Sequence, residues 1–275
     1  MKKILILVLM ATSFLFAEVG AVNDGKVSTY LRGALLDVDS VKSKLSEGGF
    51  TVLSSSTINK KGTLTTVVFT DDALTSMANK KNRGFMASLR VLVDNVNNQI
   101  SITNPLYFSK AFMQDDNDEE VANSTLSKIT KIFSGLKDSK DKLKYKDLSG
   151  FHFMFGMPYY DEMATVGKAG SSSELLERLK AKNGGKSLIF SQKLSDNRIL
   201  VGVKLGNKTS KFIKKIGVEN ASLLPYPVLL ENGKAKILAP KYYLAISYPL
   251  LKMSQFMKIS TVPGAIEKDC KKLFK

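Results

Sequence analysis

The sequence predicts an α+β protein: two tandem copies of a small α/β sandwich, each running β-α-β-β-α-β-β-α, packed together as a pseudo-dimer. Three observations predict it. The stretch VLVDNVNNQISITNPLYFSKAF (residues 91–112) returns as VLLENGKAKILAPKYYLAISY (residues 228–248), with a proline followed by an aromatic pair in each. A Gly-Gly pair closes a helical pattern at Gly48-Gly49 and again at Gly184-Gly185. After each pair come two runs rich in β-branched residues and bounded by turn formers, the pattern of paired strands.

The first copy, residues 28–136, opens on the apolar run YLRGALL from Tyr30. A helix is expected from Asp39, with Val41 and Leu45 on one face and glycine supplying the left-handed C-cap. Strands FTVLS and TLTTVVF follow, joined across Lys61-Gly62, then a helical segment over residues 72–80 and the tripeptide ASL at residues 87–89. In the hairpin that completes the unit, Asn104-Pro105 sets a capping side chain before a residue whose fixed φ suits the first helical position. The segment LYFSKAF then turns as a short helix whose aromatics, Tyr107 and Phe108, cover the sheet edge. In the closing helix Leu126, Ile129 and Phe133 share a face, and the acidic run at residues 115–120 complements its N-terminal dipole. That run is not a calcium loop, because Glu120 and Leu126 stand where glycine and glutamate are required.

Residues 137–150 are charged and lack apolar periodicity, so a linker is expected there. The second copy, residues 151–275, repeats the order. A strand over residues 162–166 precedes a helix carrying Leu175, Leu176 and Leu179, with Ser171 and Glu174 at capping-box spacing. Strands SLIFS and RILVGVKL, a helical segment over residues 209–216 and ASL at residues 221–223 lead to the hairpin. Ala239-Pro240 makes the same exit without a capping side chain. The closing helix turns Ile266, Cys270, Leu273 and Phe274 inward, with Cys270 acting as a small buried hydrophobe.

These motifs resemble the uncharacterised family catalogued as domain of unknown function 302. The matching residues are Gly48-Gly49, VLVDN and Asn104-Pro105, then Gly184-Gly185, VLLEN and Pro240; copy two departs from the pattern at Ala239. The resemblance implies a small α/β fold, sometimes in tandem, and supplies no catalytic residues.

Residues 1–17 read as a secretory signal peptide. Lys2 and Lys3 precede a short apolar run at residues 4–16, and Ala17 offers a small residue at a cut, with Ala21 as the alternative. A periplasmic destination is expected, and no cysteine follows the run to make a lipoprotein. The formal charge of +16 rests on 41 cations, yet the arginines are only Arg32, Arg83, Arg90, Arg178 and Arg198. Lysine is a hydrated point charge and arginine the bidentate reader of phosphate and bases. The balance therefore argues for a solvated surface with weak attraction to anionic membrane, and against nucleic acid. With Cys270 alone, no intramolecular disulfide can form.

Catalytic equipment is sparse. His152 is the one imidazole, no serine sits in a Gly-x-Ser-x-Gly setting, and no Cys/His cluster exists for structural zinc. The sequence reads as a non-enzymatic binding protein taking a small ligand between or beside the repeats. The candidate contacts are His152, Met154, Met157, Tyr159, Tyr160 and Met163 in FHFMFGMPYYDEM. No cofactor is expected. Two alternatives remain open: a periplasmic copper-handling protein, since His152, Met154 and Met157 are ligand types that suit copper(I), and an envelope interaction protein using its basic surface.

Overall fold

The β-branched runs become strands in the computed structural model, which describes residues 18–275. The expected signal peptide, residues 1–17, lies outside the described residues. The first half runs β1 (Lys26–Ser28), β2 (Tyr30–Ala34), α1 (Val38–Glu47), β3 (Thr51–Thr57), β4 (Leu64–Thr70) and α2 (Asp72–Ala78). It ends with β5 (Leu89–Asp94), β6 (Gln99–Thr103), α3 (Pro105–Met113) and α4 (Glu119–Ile132). Short strands β7 (Lys137–Asp138) and β8 (Lys142–Lys144) follow. The second half runs β9 (Ala164–Lys168), α5 (Ser172–Ala181), β10 (Leu188–Ser195), β11 (Arg198–Val203), α6 (Ile213–Ile216), β12 (Tyr226–Glu231) and β13 (Lys234–Ile237). Helices α7 (Pro240–Ser247), α8 (Met253–Met257) and α9 (Val262–Leu273) close it. The protein is α+β, as expected.

Both main sheets are antiparallel. One has the order β3-β4-β5-β6-β2-β7 and the other β10-β11-β12-β13-β9. Each carries a β-bulge in its first strand, between Val52 and Ser54 in β3 and between Leu188 and Phe190 in β10. Strands β5 and β12 are buried along their whole length, the charged Arg90, Asp94 and Glu231 included, because both faces of each are covered. Helices cover one side, α1 over β3 and β4 and α5 over β11, β12 and β13, while the two halves cover each other on the opposite side.

The capping expectations are met at particular atoms. Asn104 accepts from the Leu106 amide at 3.0 Å, and Ala239 makes no side-chain cap. Asp118 accepts from Glu120 and Val121 at the head of α4, so the acidic run does serve a helix N-terminus. Ser171 caps α5, but Glu174 reaches back to the Gly170 amide, one residue beyond the box.

Three expectations are corrected. Residues 137–144 are not a free linker: β7 pairs with β2 and β8 with β1, because their backbone groups bond strands of the first half whatever the side chains are. The ASL tripeptides are out of register by three residues. Ala87 ends the 3-10 turn Gly84–Ala87 before β5, whereas Ala221–Leu223 is itself the 3-10 turn before β12. The aromatic pairs do not cover a sheet edge; they fill the seam between the halves. Tyr107 Oη donates to the Ile246 carbonyl at 2.8 Å, and Tyr242 Oη donates to the Ala111 carbonyl at 3.2 Å. Both carbonyls lie in the last turn of a helix, where no intrahelical donor remains. Each tyrosine thus donates to a helix end of the other half, the Ala111 carbonyl accepting from Gln114 Nε2 as well.

The seam continues on either side. The turn at Gly84 sits on β12, with Leu229 so close that a Cβ at Gly84 would stand 2.5 Å from its side chain, and the turn at Ala221–Leu223 sits on β5. Glu231, 1 % exposed, accepts from Arg198 and Lys236, its own half's cations, and from the Asn82 amide of the first half at 3.1 Å. Burial alone pushes its carboxyl up, but these three donors together hold it below the usual carboxylate range.

Candidate functional site

Where β3 ends, the chain turns through a loop organised by one side chain. Asn59 accepts from the amides of Thr63 and Leu64 at 3.1 and 3.2 Å, and Gly62 takes the left-handed backbone the turn requires. This leaves Ile58 facing the second half and Lys60 at the tip.

Opposite stands a segment that folds less regularly than its neighbour in the first half. There, Asp71 caps α2 through the Leu74 amide at 2.8 Å. After β11 the chain instead reads Leu205-Gly206-Asn207-Lys208, and neither the 3-10 turn Thr209–Phe212 nor α6 has a side-chain cap. The Gly206 amide is held from outside, by Asp269 of α9 at 2.9 Å. The segment stands away from β3, and a cleft of about 330 Å³ opens between them.

The walls of the cleft are mainly apolar: Ile58 from the turn after β3, Ile189 from the bulge of β10, Val203 at the end of β11 and Leu205 after it, Ile213 from α6, and Leu224 before β12, with Ser56, Thr57, Asn59, Asn207 and Ser210 between them. Its rim is Lys60, Lys186, Lys204, Lys211 and Lys214, all exposed. Among the described residues none of the five is in an ion pair, and the lining contains no arginine, histidine, cysteine or carboxylate. A shallower depression of about 600 Å³ adjoins it, sharing Lys186, Lys204, Leu205 and Asn207 and adding Lys182, Lys272 and Lys275. Asp269 is its one acid. Apolar walls under clustered cations favour an anion with a hydrocarbon body.

The residues singled out from the sequence lie elsewhere, in the irregular segment between β8 and β9. His152 packs on Tyr159, ring centroids 4.4 Å apart, and Met154 and Tyr159 are exposed. Met157 and Met163 are partly buried against the core. Tyr160 is buried, donates to the Asn82 carbonyl at 2.6 Å and lies under the Arg83 guanidinium; burial pushes its hydroxyl pKa up. None of the six lines the cleft. Among the described residues no three His, Cys, Asp or Glu side chains converge as a metal site, so copper here would need thioether ligands around His152.

The cleft went unread in the sequence because its parts come from both halves. Its one local signal is the lysine-rich run at residues 204–215, which looks like an ordinary solvated surface when taken by itself. No family model, no curated protein and no solved structure matches the chain; the likeness to the domain of unknown function 302 family rests on the short motifs alone.

Proposed function

We infer that the protein is an exported, non-enzymatic binding protein in which two copies of one α+β unit face each other as a pseudo-dimer and hold a small ligand between them. The matching strand orders and the bulge at the same place in both sheets support the duplication. The tyrosine exchange supports the pseudo-two-fold axis. Tyr107 and Tyr242 are each the third residue of their helix, and Ala111 and Ile246 each the seventh, so residue i meets j while j meets i, the mark of a two-fold contact. Export rests on the N-terminal sequence pattern.

The cleft carries the binding reading. It is concave, apolar within and basic at its mouth, and it lies at the junction of two units, where small-molecule sites favour interfaces. Native mass spectrometry of the gently purified protein tests it. The reading expects extra mass of small-molecule size that disappears on denaturation and that Ile213→Glu, placed in the cleft wall, prevents. Extra mass retained by that variant would put the ligand elsewhere.

One observation favours a second reading, contact with an anionic membrane surface. Phe155 is 99 % exposed, near a loop that packs against α8 through Phe153 and Phe256, and Met257 on α8 is 62 % exposed. Co-sedimentation with phosphatidylglycerol vesicles that Phe155→Ala weakens would support it; sedimentation equal to wild type would exclude this patch.

A further inference from the structure

We propose that the cleft selects a single-chain amphipathic anion, an alkyl carboxylate or alkyl sulfate, and that a serine at position 56 is what leaves it open. The proposal rests on the binding reading above and deepens it.

The first ground is a comparison of two positions. Ser56 pairs with Thr66 and, through it, with Leu92; Gln192 pairs with Leu200 and through it with Leu229. Leu92 and Leu229 each stand two residues before the acid that precedes the hairpin turn, Asp94 or Glu231. Ser56 and Gln192 thus hold the same place in their sheets. Gln192 is buried in the other half: its Nε2 lies 3.0 Å from Thr70 Oγ1, 2.8 Å from Thr75 Oγ1 and 3.1 Å from the Ala87 carbonyl. By register, Lys204 stands where Thr70 does and Leu224 where Ala87 does, and both line the cleft beside Ser56. A long amide seals one junction. A short serine leaves its counterpart open; among the described residues its buried hydroxyl has no partner, and neither has the Oε1 of Gln192.

The second ground is the chemistry of the opening. About 330 Å³ is near the low end of the roughly 300–1,000 Å³ typical of small-molecule sites. The walls give a hydrocarbon chain contact on several sides. The rim offers lysines without arginine, so it attracts a compact anionic head by charge and lacks the planar fork that reads phosphate bidentately. Ser56, Thr57 and Ser210 bring hydroxyls and Asn59 and Asn207 amides to the lining, so an anionic head can take hydrogen bonds as well as charge there.

Calorimetric titration of the purified protein with decanoate, decanol and decylammonium tests this. The expected result is one decanoate per chain, decanol at least about tenfold weaker and no binding of decylammonium, with decanoate weakening as salt rises. Exposed rim charges each contribute modestly, so Lys204→Gln with Lys211→Gln should weaken decanoate about tenfold and leave decanol unchanged. Ser56→Gln should abolish binding of both, its fold checked by the thermal midpoint. Decanol binding as tightly as decanoate, with both lost in Ser56→Gln, would overturn the anion preference and keep the cleft. Decanoate binding unchanged by a folded Ser56→Gln and by the lysine pair would overturn the cleft reading itself, as would no binding of any probe. Should Ser56→Gln not fold, the lysine pair alone decides, since both residues are exposed surface positions.

Discussion

Replacing Gln192 by glutamate probes the seal between the halves more sharply than deleting it. The amide has two hydrogens and three acceptors within reach, so it satisfies two at a time. The acceptors' own protons are already committed: Thr70 Oγ1 donates to the Ala87 carbonyl at 2.6 Å and Thr75 Oγ1 to the Asp71 carbonyl at 2.9 Å. A carboxylate at the same place would find no donor. Its pKa would rise by about two to three units over the usual value near 4.3, as buried carboxyls without partners do. At about 1.4 kcal/mol per unit, the charged form costs about 3–4 kcal/mol at pH 7. A carboxyl with a raised folded pKa is tolerated when protonated, so the variant is close to the wild type below pH 4. It loses stability as pH rises through the unfolded pKa, levelling off above the folded one. Gln192→Met, which removes the amide without adding charge, should cost about 1–2 kcal/mol at every pH. Urea unfolding of the three proteins at pH 4 and pH 7.5 measures both quantities. A Gln192→Glu protein as stable as Gln192→Met at pH 7.5 would show that this position meets solvent, and the sealed junction would not exist.

Other expectations concern the rest of the seam. Tyr107→Phe leaves the Ile246 carbonyl unpaired and should cost about 1–2 kcal/mol, whereas Tyr242→Phe should cost less, about 0.5–1 kcal/mol, because Gln114 Nε2 also donates to the Ala111 carbonyl; a Tyr242→Phe cost larger than that of Tyr107→Phe would contradict this. Glu231→Gln should cost about 2–3 kcal/mol at pH 7, because partly buried Arg198 and Lys236 lose their counter-charge. Since the folded carboxyl sits below its usual range, that difference is full above about pH 4.5 and shrinks as pH falls through the folded pKa; a cost that persists undiminished at pH 3 would contradict it. The Cys270 thiol, buried and pushed up to about 12, should react with a thiol reagent only at the rate of global unfolding. Labelling in native buffer faster than unfolding would show α9 detaching locally.

Local structure was readable residue by residue. Asn104-Pro105 announced a capped helix, Ala239-Pro240 an uncapped one, and the apolar faces at Leu126, Ile129 and Ile266, Cys270 went where their spacing put them. What lay above each face was not readable. Tyr107 and Tyr242 look the same in sequence whether they cover an edge or cross to a second unit, because helical spacing says which side is buried and not what covers it. The strands at residues 137–144 escaped for another reason: a strand added to an edge is bonded through its backbone, and lysines and aspartates on it leave no apolar alternation. The cleft depends on a difference of one side chain, serine against glutamine, in two polar positions that carry the same alternation. It also depends on Leu205 replacing the capping aspartate found at Asp71, which loosens the opposite wall. Met154, Met157 and His152 drew attention by type, but their segment holds Tyr160 in the core and keeps Met154 and Tyr159 outside.

The most direct test of the central claim is methyl NMR with labelled isoleucine during a decanoate titration. Ile58, Ile189 and Ile213 line the cleft, while Ile102, Ile129 and Ile266 lie buried away from its lining. The first three methyl signals should shift together and saturate at one equivalent while the others hold still. Shifts centred on the other isoleucines, or none at saturating decanoate, would contradict it.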